Sequence, residues 1–432
     1  MRIGVLSLGC SKNQVDTEVM LGNLVALGHQ WVDDPEQAEV LIVNTCGFIQ
    51  SAKEEAIEAI LSLAPYKERG ARYLIATGCL TERYPQEIFA GFPELDAVLG
   101  MGQYLHMGEV LARLERGERV LWTGDKQALI GGESRVLTTP PWTAYVKISE
   151  GCDNRCAYCA IPGIRGGFRS RTLEDVLREI HELADRGVKE VVLVSQDTTR
   201  FGRDRGRDEL AALIRAACGV PGIEWVRPLY LYPDDVTEEL LDALEGEKAC
   251  AYLDIPIQHA DDGVLRAMNR RSTRAGLEDM VTRIRARRKP FTLRTTAMVG
   301  FPGEDEAAFA SLLAFLRDYP FDRVGAFAYS PEEGTPGAEM PGLPSEAVAQ
   351  ARLERLMDQQ AGISRSLLGR RVGNLERVLV EEAEGPWRYG RTEREAPEVD
   401  GWVRFRGNVQ PGAFATVRIT AATEHDLQGE LQ

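Results

Sequence analysis

Three cysteines within eight residues, Cys152, Cys156 and Cys159, carry the strongest chemical signal in the chain. Spaced C-x3-C-x2-C on one loop, their thiolates can wrap one face of a metal cluster. Three ligands are one short of the four that a closed zinc site or a fully ligated cubane takes, which leaves a position open to a substrate or cofactor. A structural zinc knuckle is the plainer alternative, but no nearby Cys or His completes a zinc spacing. A second group is dispersed. Cys10, Cys46 and Cys79 each follow an apolar run that reads as a strand, a residue or two beyond its carboxyl end. Each has a glycine beside it (Gly9, Gly47, Gly78) suited to a tight turn. Carboxyl ends of strands in an open parallel sheet line a common crevice, so these three are candidates for one three-ligand site. Three unrelated buried thiols are the alternative. Cys218 and Cys250 fall in or beside helical stretches and read as packing residues.

Positioning such residues takes a scaffold, and the apolar patterning outlines one in three parts. Over 1–123, runs at Arg2–Leu8, Glu39–Asn44, Arg72–Thr77 and Ala97–Leu99 read as strands. They alternate with helical stretches at Val15–Leu27, Ala52–Leu63, Tyr84–Ala90 and Leu105–Leu114. That rhythm predicts an open parallel α/β domain with both sheet faces covered. A Gly-, Thr- and Pro-rich stretch, roughly Gly124 to Pro141, reads as a linker. Over 138–366 there are six strand candidates: Ala144–Ile148, Glu190–Val194, Glu224–Leu229, Tyr252–Ile257, Thr292–Met298 and Arg323–Phe327. Helices such as Leu173–Ala184, Glu238–Leu244, Leu277–Arg287 and Glu306–Leu316 separate them. Six βα units predict a (β/α)6 partial TIM-type barrel with its chemistry at the carboxyl ends of the strands. The Cys152–Cys159 loop leaves the first of those strands, and Thr172–Asp175 reads as a capping box opening the next helix. After a helix over about Pro344–Leu368, residues 367–432 show short β-rich runs (Glu376–Val380, Gly401–Phe405, Ala415–Ile419) broken by Gly and Pro. These predict a small antiparallel, OB-like β-barrel of five strands.

Composition bounds what this scaffold does. With 432 residues, 44% hydrophobic and 27% charged, the chain has the makeup of a soluble protein with a substantial core. Met1–Cys10 runs from a strand into a cysteine, without the apolar stretch and cleavage site of a secretory signal. No uninterrupted apolar run reaches the ~18 residues of a membrane span, so a cytoplasmic protein is expected. In that reducing compartment eight cysteines point to metal ligation rather than disulfides. A net charge of −15 repels polyanions. Walker-type, H-E-x-x-H and G-x-G-x-x-G patterns are absent, which leaves phosphate-cradle and metalloprotease functions without support.

On these residues the chain resembles the radical S-adenosylmethionine superfamily, whose hallmark is a C-x3-C-x2-C loop after the first strand of a partial barrel. The resemblance implies a 4Fe–4S cluster on Cys152, Cys156 and Cys159, with an open iron that binds S-adenosylmethionine. Reductive cleavage then yields a 5′-deoxyadenosyl radical. It places Tyr158 by the adenine, and Ser195, Gln196, Asp197, Gly300 and Pro302 at strand-end positions that hold the cofactor. Ordinary strand-to-helix turn chemistry is the alternative for these five. With its N-terminal cysteine triplet and a small C-terminal barrel of the TRAM kind, the chain is similar over essentially its whole length to the methylthiotransferases. That family implies a second, auxiliary 4Fe–4S cluster on Cys10, Cys46 and Cys79 whose free iron carries the sulfur to be inserted. S-adenosylmethionine serves there both as methyl donor and as radical source.

Two branches of the family differ in substrate. One modifies adenosine in transfer RNA. The other, the RimO branch, modifies the β-carbon of an aspartate in small-subunit ribosomal protein S-twelve. Gly9–Asn13, Asn44–Ile49, Ile161–Gly166, Ser195–Thr199 and Asp254–His259 resemble the second branch. Charge leans the same way. From Leu367 to Gln432 nine Arg and no Lys stand against eleven Asp or Glu, whereas a module gripping RNA needs clustered positive charge. The expected partners are ribosomal protein S-twelve and an electron donor such as flavodoxin or ferredoxin, with no membrane and no direct nucleic-acid contact. The competing readings are the transfer-RNA branch and a non-catalytic iron–sulfur scaffold, which leaves the open ligand positions without a purpose. Arg165, Arg169 and Arg171 either grip a carboxylate of substrate or cofactor or pair with local acids. His259 is either a site residue or a satisfied structural imidazole.

Overall fold

The computed structural model describes residues 1–124, 126–127 and 134–432. Strands β1 (Arg2–Ser7), β2 (Gln30–Trp31), β3 (Val40–Thr45), β4 (Tyr73–Gly78), β5 (Ala97–Leu99) and β6 (Val120–Trp122) form one sheet in the order β2-β1-β3-β4-β5-β6. Every pairing in it is parallel. All six residues of β3 are buried, as in a strand covered on both faces. One cover includes Val15, Val19, Met107 and Val110; the other includes Ala56, Ile60, Leu80 and Ile88. The four expected strands lie within a residue or so of their predicted bounds. The two-residue β2 and three-residue β6 are additions, too short to show a period.

Next come β7 (Thr143–Lys147) and a two-residue antiparallel ribbon, β8 (Ser149–Glu150) with β9 (Arg169–Ser170). They are followed by β10 (Glu190–Val194), β11 (Trp225–Pro228), β12 (Tyr252–Asp254), β13 (Thr292–Val299) and β14 (Arg323–Ala328). Two parallel three-stranded sheets, β7-β10-β11 and β12-β13-β14, are joined by a parallel bridge between Val226 and Ala249. The six strands therefore follow one another in chain order. No pairing closes β14 onto β7 among the described residues, so the barrel is partial. Strand residues Val146, Val191, Leu193, Leu253 and Leu293 pack against the helical cover. In the helix Leu173–Asp185 the buried stripe Val176, Ile180, Leu183 has the spacing of one helical face. Thr172 caps this helix by accepting from Asp175 N at 3.1 Å, while the Asp175 carboxylate turns to Arg171 instead of closing the box.

Of the stretch read as a linker, 125 and 128–133 lie outside the described residues. Its far end is anchored rather than loose. Arg135 is buried between Glu18 and Glu179 (3.2 Å each), and Thr138 N donates to Glu18 Oε1 at 2.8 Å.

Strands β15 (Leu375–Glu384), β16 (Trp387–Arg391), β17 (Val403–Arg406), β18 (Phe414–Ala422) and β19 (Leu427–Leu431) close a barrel in the order β15-β16-β17-β19-β18. The expected antiparallel barrel has one parallel seam. β19 enters beside β17 with β18 intervening in sequence, so the two run parallel. This module docks on the amino-terminal ends of the larger barrel's strands. Glu190, the first residue of β10, is fully buried between Arg227 (2.8 Å) and Arg391 (2.7 Å). Several acids of the small barrel serve this interface: Asp400 accepts from Tyr252 Oη at 2.6 Å, Glu393 meets Lys289 at 3.4 Å, and Glu395 meets Arg323 at 3.8 Å.

Candidate active site

Sheet register brings the dispersed cysteines together. Thr45 pairs with Gly78, so β3 and β4 end level and the next residues, Cys46 and Cys79, leave the sheet side by side. β1 lies next to β3, with Ser7 opposite Asn44, and Cys10 follows as the N-cap of the helix Ser11–Ala26. Cys10 sits three residues past its strand, slightly farther than expected. Strand order reverses between β1 and β3, the switch point where open α/β sheets bind ligands. Close packing at this crevice requires the neighbouring glycines. A Cβ on Gly9 would lie 2.8 Å from Cys46 Cβ and 3.0 Å from its Sγ. One on Gly78 (φ +108°) would lie 2.5 Å from Asn44 Oδ1 and Thr45 O. Asn13 laces the crevice: its Nδ2 donates to Leu8 O and Thr45 O at 3.0 Å each. Asn44 Nδ2 in turn donates to Asn13 O (2.8 Å) and Thr17 Oγ1 (2.9 Å).

The three thiols sense one another. Burial pushes Cys46 up, and Cys10 adds to it; burial pushes Cys79 up to about 12, against the pull of Arg165. Burial also acts on Cys10, but Lys12, Arg165 and the helix N-terminal amides outweigh it and hold that thiol below its ordinary value. Lys12 is itself fixed 3.4 Å from the centroid of the Tyr230 ring, which belongs to the large barrel.

The compact triplet is built differently. The β8–β9 ribbon ties the ends of its loop, and Cys152 N donates to Gly166 O at 3.2 Å. Ala157 is clamped on both sides: its N–H donates to Met268 O (2.9 Å) and its carbonyl accepts from Gly337 N (2.7 Å). Burial pushes Cys152 up to about 11 and Cys159 to about 12, with Cys156 adding to both. The side chains of Tyr158 and Arg270 both approach the Cys156 sulfur. Tyr158 stands edge-on to Phe301, ring centroids 6.5 Å apart, which puts Gly300 and Pro302 on either side of its neighbour.

The other expected cofactor residues have definite places. Ser195 is buried and accepts from Asp197 N (3.0 Å), so its hydroxyl builds the turn. Asp197 accepts from Asn154 Nδ2 (2.6 Å) and Thr199 Oγ1, and so anchors the cysteine loop from outside. Gln196 Nε2 donates to Glu150 Oε1 (2.9 Å), while its buried Oε1 has no partner among the described residues. Gly300 (φ +75°) is required where a Cβ would come 2.6 Å from Ala349 Cβ. Pattern reading passed over Gln258. It combines a left-handed φ of 69° with a buried Oε1 lacking a partner, at the β12 end of the barrel. A left-handed residue with an unmet polar atom beside a strand end makes Gln258 a candidate to line a ligand site.

The arginines and His259 each make definite contacts in the folded chain. Arg171 pairs with Asp175 (2.7 Å) and Glu179, and Arg169 donates to Arg165 O (3.0 Å) and Gly167 O (2.9 Å). His259 is fully buried. Its Nδ1 accepts from Asp261 N (3.0 Å), so the proton sits on Nε2 and faces Glu304 at 3.3 Å. Arg165 does more than pair with acids. Its Nη1 donates to Glu150 Oε1 (2.9 Å), while its Nη2 reaches Asp16 Oδ2 (3.1 Å), Asn13 Oδ1 and Cys79 Sγ (3.5 Å). The two cysteine sites adjoin here, because Cys79 packs in one apolar cluster with Ala160 and Ile164, the residues following Cys159.

All-sulfur donor sets of three suit an iron–sulfur cluster with one iron free, and the unpaired Gln196 Oε1 beside the compact triplet suits the ammonium of an amino-acid cofactor. Among the described residues no three His, Cys, Asp or Glu side chains are spaced to hold a single metal ion. A cubane spreads its thiolates over separate irons and does not need that spacing.

Three stretches of the chain match known protein families. Residues 2–100 match the family described as uncharacterized protein family UPF0004, residues 146–316 the radical SAM superfamily, and residues 372–431 the TRAM domain. The ribosomal protein uS12 methylthiotransferase RimO of Pelotomaculum thermopropionicum is 47% identical, over 100% of this chain and 99% of that protein. The same-named protein of Clostridium acetobutylicum is 41% identical over 99% and 98%. Among solved structures, the radical S-adenosylmethionine methyltransferase TsrM of Kitasatospora setae shares the fold, with a TM-score of 0.57 and 14% identity over 75% of this chain and 72% of that one. The cobalamin-dependent radical enzyme OxsB shares it at a TM-score of 0.51 and 13% identity, over 83% and 56%. No helix among the described residues is long and apolar enough to cross a membrane. With full-length identity at this level, the chain belongs to the RimO family of radical S-adenosylmethionine methylthiotransferases.

Proposed function

We propose that this protein methylthiolates the β-carbon of an aspartate in ribosomal protein uS12, replacing C–H by C–SCH3, with a 4Fe–4S cluster on each cysteine triplet. The observation that carries the reading is the meeting of two three-thiol sites across Cys79, Ala160 and Ile164. When bound, the clusters and S-adenosylmethionine supply a methyl group, a transferable sulfur and a hydrogen-abstracting 5′-deoxyadenosyl group.

The chain's own residues bind, orient and enclose. Cys152, Cys156 and Cys159 hold one cluster on a loop pinned at Ala157, so the open position keeps a fixed direction. Gln196 Oε1 takes a proton donor of the cofactor, and Tyr158, backed by Phe301 between Gly300 and Pro302, walls the adenine side. Ser195 and Asp197 shape the turn that presents Gln196. Cys10, Cys46 and Cys79 hold the auxiliary cluster at the sheet's switch point. Cys79 is buried and the other five triplet cysteines are only partly exposed, which limits the access of water to the reactive groups. The chain's net charge of −15 favours a basic ribosomal protein over RNA as substrate. A cytoplasmic one-electron donor of the flavodoxin or ferredoxin kind completes the system.

Anaerobically reconstituted enzyme, given S-adenosylmethionine and a reductant, should add one SCH2 unit of mass to purified uS12 and leave bulk transfer RNA unchanged. Mass gain on transfer RNA alone would transfer the chain to the other branch of its superfamily.

A further inference from the structure

We propose that Arg165 is a positioning residue that ties the two cysteine sites together and tunes the group held at Cys79. The proposal rests on the two-cluster reading above and goes beyond it, assigning the coupling between the sites to one side chain.

Arg165 ends the short helix Ile161–Arg165 that follows Cys159 and Ala160, and its side chain is 2% exposed. Glu150, its first partner, is the last residue of β8, one residue before the Gly151–Cys152 turn. Glu150 Oε1 also receives Gln196 Nε2. One nitrogen of the guanidinium therefore grips the frame of the compact triplet. The other reaches the N-terminal domain at Asp16, Asn13 and Cys79 Sγ. One planar fork spans both sites, and its own backbone belongs to the loop carrying three of the cysteines.

Charge balance alone does not require an arginine here. Lys147 already contacts both Asp16 and Glu150, at 2.8 Å for the latter. Two acids against two cations close the local charge balance, and Tyr104 Oη adds a donor to Asp16 at 2.8 Å. A second lysine would serve that purpose. What only the fork supplies is a donor held on a cysteine sulfur and on Asn13 Oδ1 while its other arm stays on Glu150. A hydrogen bond to a ligating sulfur sets the electron density and reduction potential of the group it holds.

The test is Arg165→Lys in the reconstituted full-length enzyme. An ammonium keeps the charge, remains with Glu150 and Asp16, and lets go of Cys79. In a background where Cys152, Cys156 and Cys159 are all alanine, the auxiliary cluster of Arg165→Lys should show an altered EPR spectrum and a lower midpoint potential than with Arg165. With all six cysteines present, the ratio of 5′-deoxyadenosine to methylthiolated product should rise several-fold, as cleavage proceeds without productive sulfur delivery. Unchanged spectrum, potential and ratio would overturn the proposal. A readout without any Arg165 variant covers the case in which Arg165→Lys loses its iron. In the same triple-alanine background, labelled with 15N-arginine, the reduced auxiliary cluster should show a weakly coupled arginine nitrogen, and its absence overturns the proposal equally. A wild-type protein holding about four irons instead of the eight of two cubanes would sink the two-cluster reading itself. Full iron with an unaffected Arg165→Lys sinks only the role of Arg165.

Discussion

The two cysteine sites offer the same chemistry from opposite kinds of architecture. Cys152, Cys156 and Cys159 sit on one loop whose ends are tied by a ribbon and whose middle is clamped at Ala157, so local backbone geometry sets the site. Cys10, Cys46 and Cys79 come from three different βα turns and meet only because β1, β3 and β4 are neighbours in register. A one-residue slip in a strand sends its side chains to the opposite face. The crevice site is therefore only as reliable as the sheet beneath it, and glycines with no room for a Cβ, such as Gly9 and Gly78, mark where that dependence is tightest. The loop site depends on contacts that the sheet of the N-terminal domain does not make.

The largest expected effect cuts the sites apart chemically. Cys156→Ala should bring reductive cleavage of S-adenosylmethionine to background while about half the iron, that of the auxiliary cluster, remains. Continued 5′-deoxyadenosine formation by this variant would remove the loop from its assigned role. Next comes the register of the crevice. Gly78→Val forces a β-branched residue to φ +108°, with its Cβ against Asn44 and Thr45. Backbone strain alone costs about 1–3 kcal/mol. This variant should lose the auxiliary iron and the methylthiolated product yet still form 5′-deoxyadenosine, which reverses the iron and cleavage pattern of Cys156→Ala. Full iron in Gly78→Val would mean that the crevice does not depend on the β3–β4 alignment.

The same contrast explains what was legible in the sequence. The compact triplet is a motif and can be read directly. The dispersed triplet could be proposed because strand-then-cysteine recurred three times, but its closure depended on the pairing of β1, β3 and β4, which no local pattern states. The six barrel strands were visible as apolar runs, whereas β2 and β6 were too short, and the parallel β17–β19 seam follows from strand order alone. Cys218 and Cys250 pack against the barrel core and the shared apolar cluster, as read. Arg165 stood out in the sequence, but its network with Asp16, Lys147 and Glu150 did not, because the members come from two domains and the other three look like ordinary surface charges. Gln258 was missed for a related reason: its signal is a backbone angle and an unmet acceptor, and neither exists before folding.

The smallest effect probes the lacing that holds the crevice in register. Asn44 is 2% exposed, and its amide links β3 to the first helix through Asn13 O and Thr17 Oγ1. Asn44→Ala leaves both acceptors buried and should destabilise the N-terminal domain by about 1–3 kcal/mol. The protein should still fold and take up its full iron, since Asn13 keeps its own bonds to Leu8 and Thr45. The difference lies in retention. Under a mild chelator, with each cluster followed by its EPR signal, the auxiliary cluster of Asn44→Ala should decay several times faster than that of the wild type. The loop cluster, clamped by Met268 and Gly337 far along the chain, should decay at an unchanged rate. Equal acceleration of both would show that the two sites share one cooperative unit, in which case the contact through Arg165, Ile164 and Cys79 would be the dominant structural link between them.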